Sequence, residues 1–483
     1  MLLPTISVLL CLLAPEHPKD IVFPDFVFTP PVADTYEVTL QNGVPVFIVE
    51  DRELPLVEVV ATFKGGGYLD NENQVGLTPM MALLLRSGGT TSVSAEDVDE
   101  RLAFLAANVG VRGGATRVTA GLDCLSLNFE EAFGLFLDML QNPGFQESRL
   151  GLEKDAVLEA LKQRNDHPKS ILRREYSSLM FGDSYLGRKP VDTDVQSIDR
   201  DRLFKSYKQI VSPKNLILSV SGDFDKAEML SILNKTFGEW VGESFVQSPP
   251  DVLSTYEPGI YYVDRDVPQG GVRMGLRTVK RDDPDIEAME VMNYILGGGG
   301  FSSRITQSVR SDEGLAYGVS SRFSAGPWSR GTWVAGYESK SSTVALAAML
   351  IFDEIQRIKT ELVSEEDLNL AKSALIERFP SMFQSKSDTL GVFVGDRLTN
   401  RDLEYWGAYR DKVRAVTAED VMRVANKLLH PEEMVVVVVG NWDDISVGDI
   451  DNRATMEDVR GVVGGEFVEL PLRDPLTLEI INE

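Results

Sequence analysis

Two runs of alternating apolar and polar residues, TYEVTL and VPVFIVE, stand on either side of Gln41-Asn42-Gly43. Alternation with period two puts every second side chain on one face of a strand, and Asn-Gly suits the positive backbone angles of a tight hairpin. Regular structure therefore begins near Thr35. The same alternation returns in GIYYVDRD and GGVRMGLRTV after residue 259. Between these strand regions the period changes. STVALAAMLIFDEIQRIKTEL, from Ser342, carries apolar residues at helical spacing with a charged far face. SEEDLNLAKSALIERF follows, with Ser364 as its N-cap and Asp367 three residues on. FEEAFGLFLDMLQNP and SRLGLEKDAVLEALKQRND hold the corresponding place earlier in the chain. Strands grouped with helices, rather than alternating one by one, predict an α+β fold with largely antiparallel sheets.

The pattern also repeats. SPKNLILSVSGDFD, from Ser212, resembles HPEEMVVVVVGNWD, from His430, with Pro213 over Pro431 and Gly222 over Gly440. Both pairs, and Ile198 with Val416 before them, keep one offset of 218 residues. A shared register over such a stretch indicates duplication of a domain and not a short-period array. At 483 residues the chain exceeds one core, as two domains require. The divisions are residues 1–34, an apolar opening with a proline-rich extended lead; 35–246, the first domain; 247–259, the linker QSPPDVLSTYEPG; 260–470, the second domain; and 471–483, a tail.

Composition narrows the chemistry. A net charge of −26 repels nucleic acid and anionic membrane surfaces. Three histidines, His17, His167 and His430, leave no pair three or four residues apart to grip a metal from one helix. Two cysteines, Cys11 and Cys124, cannot build a thiolate metal site, and Cys124 sits in an apolar strand-like run. The opening MLLPTISVLLCLLA matches a signal-peptide core in length and is too short to span a bilayer. It predicts export to the periplasm or another extracytoplasmic space, with membrane contact only if that segment is retained. LGGGG, from Leu296, lacks both the P-loop ending and the dinucleotide spacing, and reads as glycines admitting close backbone at a helix start.

LQNGVPVFIVEDRELPLVEV, the GL…RSGGT frame at residues 76–90 and LGGGGFSSRITQSVRSDEGLAYGVSS together resemble the pitrilysin/insulinase family of zinc peptidases. The resemblance runs from about Thr35 to Val468 and implies two similar α+β domains. Active members carry His-x-x-Glu-His, which sets two imidazoles on one helix face and a general base between them. In GLTPMMALLLRSGGT those places fall on Pro79, Ala82 and Leu83, and the distal ligand on Ala160. None has a side-chain lone pair for a metal. Thr78 is expected to cap this helix and Pro79 to fill its first turn. Active members also need Arg-x6-Tyr, and Arg310 and Tyr317 stand at that spacing in VRSDEGLAYG.

The resemblance thus implies a non-zinc-binding chain that supplies Arg310 and Tyr317 in trans. Its heterodimer partner, a homologous chain, would hold the zinc, this one carrying no cofactor, and together they would hydrolyse unfolded peptides. In the family mode the peptide adds as a strand to a sheet edge, here matched to ATRVTAGLDCLSLNF from Ala115, and the acidic surplus favours basic peptides. The alternative is a catalytically inert assembly subunit or peptide-holding scaffold, with Tyr317 in the core and Arg310 on a helix surface.

Overall fold

The computed structural model describes residues 28–253 and 255–481. The opening apolar run, with Cys11 and His17, lies outside the described residues. The Asn-Gly hairpin forms: β1 (Glu37–Thr39) runs antiparallel to β2 (Pro45–Glu50), and Gly43 takes a φ of +89° at the turn. With β3 (Leu56–Lys64), β4 (Asn108–Gly113), β5 (Arg117–Leu125) and β6 (Leu216–Gly222) they make a six-stranded sheet in the order β1-β2-β6-β3-β5-β4. The second half builds its own from β7 (Gly259–Asp264), β8 (Gln269–Arg277), β9 (Ala316–Phe323), β10 (Thr332–Lys340), β11 (Val435–Gly440) and β12 (Phe467–Glu469). Its order, β12-β7-β11-β8-β10-β9, matches the first over five positions; the outer edge differs, being the first strand, antiparallel, in one half and the last strand, parallel, in the other. Only β2 with β6, and β7 with β11 and β12, pair in parallel. The predicted α+β class with largely antiparallel sheets is what the chain adopts.

The duplication is visible in the helices that precede β6 and β11. One spans Arg200–Ile210 and the other Ala418–Leu428, the same length and the same register as the sequence repeat. The helices predicted from periodicity are present at Phe129–Gln141, Glu147–Lys162, Val344–Thr360 and Glu365–Arg378, the last capped by the Ser364 side chain.

One feature of the packing is invisible in the pattern. The helix Pro168–Phe181, from the first half, lies on the second sheet, where Ile171, Leu172, Tyr176 and Met180 pack with Tyr261, Val263, Val435, Val437 and Val439. The helix Lys386–Thr399, from the second half, lies on the first sheet, with Phe393 against Phe47 and Tyr36. This exchange explains the unbroken valines of β11. Val436 and Val438 face the second half's own helices while Val435, Val437 and Val439 face the borrowed one, so both faces are dry. The chain ends cross as well: Phe28 packs on Phe379 and Phe383, and Asn165 and Asp192 hydrogen-bond to the backbone of Arg473 and Leu476. Among the described residues no helix is long and apolar enough to cross a membrane.

Candidate functional site

The helix Leu77–Ser87 carries three of the four degenerate positions. It begins after Gly76, whose φ of +96° no side-chain cap accompanies. The cap comes from upstream. The buried Asp70 carboxylate accepts hydrogen bonds from the Gly76 and Thr78 amides and, at 2.6 Å, from the Thr78 hydroxyl. Thr78 therefore donates to the capping group and does not itself cap the helix, while Pro79 does occupy the first turn. Burial pushes the Asp70 carboxyl up to about 6, against the pull of these donors and of Arg188.

Beside the helix is a cavity of about 340 Å³ lined by Pro79, Leu83, Val157, Val195, Ile198 and the Gly113-Gly114 turn. A Cβ on Gly113 would come within 2.7 Å of the Thr78 carbonyl oxygen, so only glycine lets β4 close this wall. Ala82 points away into the core with no exposure, which leaves no room for a longer side chain. Ala160 is exposed on its helix and does not line the cavity; Val157, one turn earlier, does. The structure thus brings together Pro79, Leu83 and Val157, and not Ala160. Pro79, Leu83 and Val157 offer a cation no electron pairs, and Asp70, the one carboxylate on the cavity wall, is engaged by the Gly76 and Thr78 donors, so the site does not fit zinc. Among the described residues no three His, Cys, Asp or Glu side chains gather as a metal would require. Cys124 is buried in β5, where burial raises its thiol to about 11.

The second-half position is open. Arg310 lies in a wide helical turn at Gln307–Asp312, and Tyr317 is the second residue of the edge strand β9. The Arg310 guanidinium is sandwiched between two rings, 4.4 Å from the Phe301 centroid and 5.0 Å from that of Tyr317. Tyr317 is 90% exposed, so it is no core aromatic. Neither its hydroxyl nor the guanidinium has a hydrogen-bond or ion-pair partner among the described residues. Stacking fixes the two side chains beside each other and leaves their N–H and O–H donors uncommitted. Such a pair can meet an oxygen that gains negative charge. The glycine run ends the helix Ile286–Asn293, and its last residue, Gly300, opens the turn Gly300–Ser302 that leads into the helical segment bearing Arg310. Gly297 passes so close to β9 that a Cβ would lie 2.8 Å from the Ser321 amide.

Comparison with known proteins agrees with this anatomy. Residues 197–375 match the family model described as the peptidase M16 inactive domain. The chain is 24% identical over 362 residues to a Helicobacter pylori protein named non-peptidase homolog YmxG, covering 74% of this chain and 83% of that one. It is 21% identical over 411 residues to an uncharacterized zinc protease of Rickettsia bellii, covering 83% and 97%. Among solved structures, a peptidase M16 inactive domain from Pseudomonas fluorescens superposes with a TM-score of 0.75 at 22% identity, over 84% of this chain and 97% of that one. Residues 197–375 thus carry a peptidase M16 inactive domain, and the rest of the chain shares the fold of pitrilysin-like, or M16-like, relatives.

Set on the pitrilysin frame, three further features emerge. The edge strands of the first sheet are β1 and β4, while β5, the strand expected to receive peptide, is interior between β3 and β4. Phe301 completes the arginine clamp; its place in FSSR just after the glycine run was the one available signal. Finally, Tyr317 borders a cavity of about 810 Å³ on the outer face of β8, β10 and β9, walled by the helix Pro168–Phe181. Its charged lining is Lys169, Arg173, Arg273, Arg322 and Lys340 against Glu338 alone. The expectation of basic peptides, drawn from total charge, is thus opposed by the local charge beside Tyr317.

Proposed function

We propose that this chain is the non-zinc-binding half of a two-chain pitrilysin-type endopeptidase. Arg310 and Tyr317 then act in trans, donating hydrogen bonds to the oxygen of a peptide carbonyl attacked in the partner's metal site. The observation that carries the reading is the contrast between halves: lone pairs are gone from the Pro79–Leu83 face, while two donors stand stacked and uncommitted at an exposed strand edge. The apolar opening run supports an extracytoplasmic location for the pair. A second reading, an inert assembly or peptide-holding subunit, draws support from the same stack, since Arg310 between two rings also contributes packing, and from the name of the Helicobacter relative.

The test is co-expression with a homologous chain that carries His-x-x-Glu-His. In the assembled pair, Arg310→Ala and Tyr317→Phe should each lower peptide turnover by about 10²–10³, the usual cost of an oxyanion donor. Zinc content and assembly should stay unchanged. Full turnover in both variants would leave the scaffold as the correct reading.

A further inference from the structure

The molecule carries a strong surplus of carboxylates, yet the cavity beside Tyr317 gathers five cations and one carboxylate. Lys169 holds the one lining carboxylate, Glu338, at 2.6 Å. Arg173, Arg273, Arg322 and Lys340 form no ion pair among the described residues. Arg273 lies over the Tyr176 ring at 5.0 Å, and its Nε is buried without a hydrogen-bond partner. Three guanidiniums reach this space from separate elements: Arg173 from the exchanged helix, Arg273 from β8 and Arg322 from β9. Burial, joined by the charges of Arg173 and Arg322, pushes Arg273 down from its ordinary range. Guanidinium stays charged at any working pH, so an incoming anion would relieve the crowding.

The floor is shaped for a main chain. Across the sheet Ser320 pairs with Gly336, and Gly336 with Arg273, while Gly318 lies farther along the edge strand. Small residues on two adjacent strands leave a shallow trough in which an extended backbone can lie close to the sheet. Guanidinium forks then match carboxylates along its length. A nucleic acid carries the same sign of charge but would meet the net charge of −26 over the rest of the surface.

We infer that this trough binds an extended peptide segment rich in aspartate and glutamate, and so sets an acidic preference for the peptide presented to Tyr317. The inference deepens the peptidase reading at its own site, but binding can be measured on this chain alone. The probes are a fluorescein-labelled decapeptide with four glutamates, its twin with four lysines, and a labelled single-stranded decanucleotide. Fluorescence anisotropy should show the glutamate peptide bound at least roughly tenfold more tightly than the lysine twin, with a preference that weakens as salt rises. The double variant Arg173→Glu, Arg322→Glu changes two exposed side chains and should erase that preference without disturbing the fold. Equal affinity for the two peptides, or an undiminished preference in the double variant, would overturn the inference. Equally tight binding of the decanucleotide would overturn its assignment to peptides. If the preference holds while Arg310→Ala and Tyr317→Phe leave turnover intact in the two-chain enzyme, the half-site reading fails and the trough stands.

Discussion

The two halves of this chain share a strand order over five positions and a 218-residue register, and they differ most where family chemistry belongs. In the first half the helix Leu77–Ser87 starts after a glycine and lies over β4, but presents proline and leucine to a small, mostly apolar cavity. In the second half the corresponding helix gives way to a glycine run that leads to an exposed aromatic-arginine stack. Packing constrains both sheets alike, because each must bury the same faces. Chemistry does not, and a duplicated framework can lose donors in one copy while the other holds them in place. The contrast therefore separates residues that build the fold from residues that the fold does not require.

The sharpest way to break the contrast is to put ligands back. Pro79→His, Leu83→His and Val157→Glu together should create a three-ligand zinc site with a dissociation constant near micromolar, about 8 kcal/mol of binding by calorimetry. The same histidines with Ala160→Glu should bind at least roughly tenfold more weakly, since Ala160 faces solvent. Equal affinity in the two variants would show that Val157 is not the distal position.

A smaller effect tests how far the halves are independent. Phe393→Ala removes the borrowed helix's anchor from the first sheet, and Ile171→Ala does the same on the second. Each should cost about 2–5 kcal/mol, and each should shift one common unfolding transition followed by urea. Two separated transitions would show that the exchanged helices do not couple the sheets.

The smallest effect concerns Asp70. Its carboxyl is raised from the ordinary 3.8 to about 6, so the folded state favours the protonated form. That contribution is fully present below about pH 4 and is lost as pH rises through about 6. Stability attributable to this group should fall by on the order of 2–3 kcal/mol across that window. Asp70→Asn should flatten this part of a urea-against-pH profile, and an unchanged slope would reject the assignment.

Much of the fold could be read from periodicity and offsets. Asn42-Gly43, Ser364 and the Pro213–Pro431 pair each mark an element through local chemistry, and each marks it correctly. The missing metal ligands were equally legible, because three scattered histidines admit no pair. What escaped depends on contacts distant in sequence. Asp70 caps a helix that starts several residues later, a link that no spacing rule specifies. Val157 lines the cavity and Ala160 faces solvent, a difference of helix face that counting residues from Leu83 does not give. Arg173, Arg273 and Arg322 are spread over some 150 residues and converge only because a helix from one half crosses onto the other's sheet. Total charge says nothing of this for the same reason, since it averages over a surface whose local sign reverses in that trough.

The crossing also governs how the molecule can come apart. The chain passes from one sheet-bearing segment to the other through residues 247–258, yet each segment keeps a helix and a terminal stretch of the described residues lodged on the other. A cut there would leave two fragments still clasped together. In the proposed two-chain enzyme a peptide would then enter at the seam between the polypeptides, not through a flexing elbow inside this one.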